Sequence, residues 1–168
     1  MNLELWREAL RLKLSEILGI TSYSIHDLEP RSLATFRMGE VIVEKVDYVV
    51  ERGLRVPAYL LIPENVKKPT PAIIALHGHG SGKDDLLGFS KREGDRKGHS
   101  QGFVMKLAER GFVVLAPDAR GFGEMAVEGG CWRHSVVGLL LGRPIAGMRL
   151  WDDMRSLDYL LSREEVDA

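Results

Sequence analysis

At 168 residues the chain has one domain's worth of sequence, long enough to bury roughly two thirds of its unfolded surface in a core. Hydrophobic residues make up 45% and charged residues 28%, with 23 Lys and Arg against 24 Asp and Glu, the balance of an ordinary globular protein and not of a disordered tail. A net charge of -1 leaves no basic surplus to displace counterions from phosphates, which argues against a nucleic-acid partner; the basic stretch 91–99 is diluted by Glu93 and Asp95. The lone Cys131 excludes a disulfide framework and a cysteine-based zinc site. The opening residues carry neither a charged region followed by an apolar block nor a membrane-length apolar run, so no leader, no membrane partner and a cytoplasmic setting are expected.

Leu3, Leu5, Trp6, Ala9, Leu10, Leu12, Ile17 and Leu18 recur mainly at three- and four-residue intervals between charged residues and stop at Gly19, which predicts an amphipathic helix. Residues 21–37, with Pro30 among them, read as a polar connection. The β-rich runs Val41–Glu51 and Leu54–Pro63 flank Arg52-Gly53 and predict a hairpin. After a polar, proline-bearing turn at 64–71, residues 72–76 form a short apolar run without alternation, the mark of a strand covered on both faces. It ends in His77-Gly78-His79-Gly80.

Residues 81–97 read as a long loop with one turn of helix near 86–89, and residues 101–110 as a helix stopped by Gly111. Residues 112–116 read as a second buried strand, leading into Pro117-Asp118-Ala119-Arg120-Gly121-Phe122-Gly123. A glycine-spaced loop is expected over 124–147. It is followed by a helix over 148–162 whose Met148, Trp151, Met154, Leu157 and Leu161 share a face. Strand and helix alternate through the second half, so an α/β layer structure with a parallel sheet is expected.

In open α/β sheets ligands bind beyond the carboxyl ends of the strands, which directs attention to the loops starting at His77 and at Asp118. Three chemistries compete for the His-Gly-His-Gly turn. A phosphate loop would need glycine in place of His77 and Ser or Thr in place of Asp84, beside Gly82-Lys83. A metal site could use His77 and His79, but the following residues supply no further ligand. An oxyanion hole fits the glycines best, because small residues let backbone N–H groups face a developing negative charge. The plainer alternative is a tight turn whose histidines only hydrogen-bond backbone.

Ser100, in Gly98-His99-Ser100-Gln101-Gly102, matches Gly-x-Ser-x-Gly to the letter and is the one nucleophile candidate, a weak one. That motif needs a strand to deliver the serine, and 91–97 is charged and glycine-broken, so Ser100 reads better as a helix N-cap. A triad of Ser100, Asp118 and His134 stays open on chain order alone. Asp152 and Asp153 point about 100° apart on a helix and cannot easily share a proton or a metal; pairing of one of them with Arg120 is expected. Cys131 reads as a small filler or, alternatively, a thiol paired with His134.

The hairpin, the strand ending in Leu76-His77-Gly78-His79-Gly80, the Asp118 to Gly123 segment and the Gly147-Met148-Arg149-Leu150-Trp151-Asp152-Asp153-Met154-Arg155 helix together resemble the α/β-hydrolase superfamily. More narrowly they resemble its acetyl xylan esterase and dienelactone hydrolase-like branch. The resemblance implies an α/β fold, the N-terminal part of a three-layer sandwich in which an antiparallel hairpin leads into a parallel sheet with helices on both faces. Residues 1–39 would be an N-terminal helix and connection, and 40–168 the truncated hydrolase domain.

By the same resemblance the parent is a serine carboxylic-ester hydrolase without cofactor or metal, acting on a small-molecule or carbohydrate ester. Gly78, His79 and Gly80 would form the oxyanion turn, and Asp118 and Arg120 would support the loops, Arg120 together with Asp153. The nucleophile elbow, acid and histidine of that family are expected beyond residue 168, leaving this span inactive alone. The edge of the strand at 72–76 would then be open, inviting self-association, and Trp151 and Leu157 would be uncovered. Such a chain would be aggregation-prone or molten. Two other functions stay open: a non-catalytic or partner-completed binding domain, and a metal-dependent hydrolase using His77 and His79.

Overall fold

The computed structural model describes residues 2–67, 69–89 and 102–167. Helix α1, Leu3–Ile17, is capped by Asn2, whose Oδ1 accepts the Glu4 N–H at 3.0 Å, and ends where Gly19 turns left-handed. None of its residues is buried. It is anchored at its end, where Leu18 lies so close to Gly147 that a side chain there would overlap the Leu18 carbonyl.

Residues 31–38 overturn the expected polar connection. They form strand β1, Arg31–Met38, antiparallel to β2, Val41–Glu51, with a bulge between Ser32 and Ala34. The hairpin of β2 with β3, Leu54–Pro63, has the expected boundaries, and Gly53 supplies the positive φ of its turn. Strand β4 is Ala72–Ile74 and β5 is Val113–Pro117; they pair in parallel, and β5 also pairs antiparallel with β3. The sheet order is β1-β2-β3-β5-β4, so parallel pairing is confined to the β5–β4 end.

The apolar run of β5 fails to alternate because both its faces are covered. Val113 and Leu115 join Tyr48, Val56, Leu60 and Tyr159 on one side, while Val114 and Ala116 join Val43, Leu61, Leu86, Val104 and Ala108 on the other. The second layer is built by α2, Lys83–Leu87, and α3, Phe103–Ala108. The first is built by α5, Ile145–Leu161. Helices thus cover both faces of a mixed sheet.

Two further corrections concern the second half. The expected loop over 124–147 contains a short 3-10 turn and an eleven-residue helix, α4, Gly130–Leu140. Helix α5 buries Met148, Trp151, Asp152, Arg155, Ser156, Tyr159 and Leu160, while Met154, Leu157 and Leu161 are exposed. Its inner face is thus rotated from the apolar stripe, and polar pairs explain the rotation. Ser156 and Tyr48 share a hydrogen bond at 2.6 Å, and Arg155 donates to the His26 carbonyl at 2.5 Å. Trp151, expected to be uncovered, is 6% exposed: it stacks on Tyr23, and its indole N–H donates to the Val50 carbonyl at 2.7 Å.

At the β4 end, Thr70 and Val166 form a parallel bridge. The Thr70 N–H donates to the Glu165 carbonyl at 2.9 Å, and the Asp167 N–H to the Thr70 carbonyl at 3.0 Å.

Candidate active site

The turn after β4 is held by its first histidine. His77 Nε2 accepts the Ala119 N–H at 2.9 Å, so Nδ1 carries the ring proton and donates it to the Gly78 carbonyl at 2.7 Å. Both nitrogens are thereby engaged and the imidazole is neutral. Phe122 stands edge-on to His77 at 5.3 Å and to His79 at 4.9 Å, filling the space between the two strand-end loops. His79 Nε2 lies 3.6 Å from Cys131 Sγ, so the thiol, partly exposed on α4, faces His79 and not His134.

The backbone N–H groups of Gly78, His79 and Gly80 have no acceptor among the described residues, whereas that of Ser81 donates to Asp85 Oδ2 at 2.6 Å. Gly80 leaves room for Asp85: a Cβ there would fall on the carboxylate, which would have to move. At Gly78 a Cβ would meet nothing within 4 Å.

Asp118 ties this turn to the loop after β5. Its Oδ1 accepts the Lys83 N–H at 2.7 Å, and its Oδ2 accepts the Lys83 ammonium at 2.8 Å and the Glu124 N–H at 3.0 Å. Lys83 also reaches the Glu124 carboxylate and lies 5.0 Å from the centre of the Tyr59 ring. Burial alone would pull its ammonium down, but Asp118 and Glu124 hold it above its ordinary value. The packing leaves no room for a side chain at Gly82 or Gly123, where a Cβ would strike Asp118. Nothing in the sequence marks Lys83 as buried, since it sits in a polar, glycine-bearing stretch.

Arg120 pairs with Asp152 and not with the expected Asp153. Its Nε and Nη2 donate to the two Asp152 oxygens at 2.6 and 2.7 Å, and it also contacts Glu51, which in turn accepts from Arg143 at 2.6 Å. Burial would lower the Arg120 guanidinium, yet Asp152 and Glu51 outweigh it and raise its pKa. Asp153 instead lines a cavity of about 290 Å³ with Leu76, His77, Gly78, His79, Pro117, Ala119, Phe122 and Arg149. Burial, reinforced by Asp152 and opposed by Arg149, pushes its carboxyl up to about 6.

Ser100 lies outside the described residues; helix α3 begins at Phe103 with Gly102 as its N-cap. Asp118 and His134 share no hydrogen bond. The first is saturated by Lys83 and Glu124, and the second lines a separate cavity of about 510 Å³ together with Arg55 and Met125. His77 and His79 gain no third ligand, for among the described residues no three His, Cys, Asp or Glu side chains are grouped to hold a metal. No helix among them is long and apolar enough to cross a membrane.

A mixed sheet covered on both faces, with a glycine turn and an Asp-x-Arg-Gly loop at neighbouring strand ends, is the α/β-hydrolase arrangement. The Abhydrolase family pattern matches residues 1–135, and the chain belongs to that family. It is 31% identical over 169 residues to a Bacillus subtilis protein, YtaP, named as a hydrolase, covering 95% of this chain and 52% of that one. Among solved structures it is similar to a Bacteroides fragilis protein named as an acetyl xylan esterase, with a TM-score of 0.83 at 20% identity, covering 98% of this chain and 45% of that one. An acetyl xylan esterase from Paenibacillus sp. R4 superposes with a TM-score of 0.64 at 20% identity over 95% of this chain and 48% of that one. The chain thus spans about half the length of the relatives it matches.

Proposed function

We propose that this chain carries the oxyanion turn of a serine carboxylic-ester hydrolase that transfers an acyl group to water. The observation that carries the reading is the row of backbone N–H groups at Gly78, His79 and Gly80 that have no acceptor among the described residues, at the carboxyl end of a parallel strand, with Gly78 and His79 on the wall of a cavity. Donors fixed in that way favour the tetrahedral oxyanion over the flat ester carbonyl, which is where an acyl-transfer enzyme gains most of its rate. The serine hydroxyl would attack the ester carbon, the alcohol would leave with a proton from the histidine, and water would then release the acid.

In this reading the nucleophile, its acid and its histidine are supplied by chain outside these 168 residues, so the span alone is inert. Supporting this is the half-length match to the relatives, together with the saturation of Asp118. The substrate is a small-molecule or carbohydrate ester, and the single thiol fits a reducing cytoplasm. A metal-dependent reaction is disfavoured by the double engagement of His77.

Reading the coding sequence past Ala168 for a strand followed by Gly-x-Ser-x-Gly tests the proposal first. Acetyl-ester cleavage by the longer product is then expected to be blocked by a serine-directed inhibitor and to need no zinc. Ser100→Ala is expected to leave that activity near wild type. A loss of several hundredfold would instead make Ser100 the nucleophile.

A partner-completed binding domain is the second reading. It is favoured by one observation, the edge of β4, which beyond the bridge of Thr70 to Val166 has no neighbour among the described residues and could pair with a further strand.

A further inference from the structure

Among the described residues the ionisable groups lining the cavity beneath the turn have partners, with one exception. Arg149 donates to the Arg120 carbonyl at 3.2 and 2.7 Å and lies over the Phe122 ring at 5.0 Å. His77 uses both ring nitrogens, and His79 contacts Cys131. Asp153 accepts no hydrogen bond and forms no ion pair there, although it is partly buried and its neighbour Asp152 is fully matched to Arg120. A partly buried carboxylate with only the through-space attraction of Arg149 to offset its burial costs stability. The same cavity is lined by Gly78 and His79, whose amides have no acceptor among the described residues.

An acceptor without a donor and donors without an acceptor, in one small cavity, are complementary to a ligand that carries both. We propose that Asp153 is a specificity-determining residue that accepts a hydrogen bond from a hydroxyl on the alcohol portion of the ester, while the ester oxygen rests on the amides of Gly78 and His79. Leu76, Pro117 and Phe122 form the apolar part of the lining, against which a short acyl chain packs. The volume of about 290 Å³ suits such a chain and a hydroxylated two- or three-carbon fragment, not a long fatty acyl group. The inference rests on the oxyanion reading above, and its test separates the two.

The ¹⁵N-labelled chain is titrated with 2-hydroxyethyl acetate and with ethyl acetate, which differ by the hydroxyl. Both esters are expected to shift the amide resonances of Gly78 and His79, and the hydroxylated one to bind about tenfold more tightly, as for a hydrogen bond to a charged acceptor. Asp153→Ala is expected to bind both esters equally. Equal affinities in the wild-type chain, or an undiminished preference in Asp153→Ala, would overturn the role of Asp153 and leave the oxyanion turn standing. Failure of either ester to move those amides would overturn both.

Discussion

Asp152 and Asp153 are neighbours on α5, but consecutive helical residues point about 100° apart, so one meets the Arg120 guanidinium and the other meets a cavity. The consequence for stability has opposite sign at the two positions. Removing Asp152 leaves the buried guanidinium with Glu51 alone and takes away two charge-assisted hydrogen bonds, and Asp152→Ala is expected to cost about 2 to 4 kcal/mol in a urea melt. For Asp153 the folded carboxyl titrates near 6, above its ordinary 3.8, so the native state binds more protons than the unfolded one between those values. Stability therefore falls as pH rises through that window and stays reduced above it. Asp153→Asn is expected to raise unfolding free energy by about 1 to 3 kcal/mol near neutral pH and to change little below about pH 4. Equal melts of variant and wild type at neutral pH would contradict the burial of that charge. The sequence made a pairing with Arg120 foreseeable, but which aspartate pairs depends on the phase of α5, and that phase is set by Ser156, Arg155 and their polar partners instead of by the leucines.

At the scale of elements, the turn after β4 is built from glycines with different duties. Gly80→Ala is expected to displace the Asp85 carboxylate, leave the Ser81 N–H unpaired and cost about 1 to 3 kcal/mol, with faster hydrogen exchange at Ser81. Gly78→Ala, facing open space, is expected to stay within about 0.5 kcal/mol of wild type and serves as the control. The β2–β3 hairpin was legible because its apolar runs end on a glycine turn. Strand β1 was not, because nearly every residue in it is exposed and only the ladder to β2 makes it a strand. Helix α4 was hidden by Gly129, Gly130 and Gly138 and by apolar residues such as Trp132 and Leu140 that remain exposed, so no inward stripe announces it.

For the whole molecule, the sheet presents two different margins. The β1 margin exposes Leu33 and Phe36 but also carries Arg31 and Arg37, each held by a carboxylate, and charges on an edge discourage pairing with another chain. The β4 margin is short and apolar, and beyond the Thr70 bridge it has no neighbour among the described residues. Sedimentation over a wide concentration range is expected to show reversible self-association of this chain; a strictly monomeric species at every concentration would count against an available β4 edge. The other end of the molecule's organisation is the Asp118 carboxylate, which takes donors from the loop after β4 and from the loop after β5 at once. The two loops therefore form one mechanical unit. Anyone transplanting segments between relatives to alter selectivity would have to exchange both together, because a foreign loop grafted singly would arrive without the carboxylate or without the lysine that locks it.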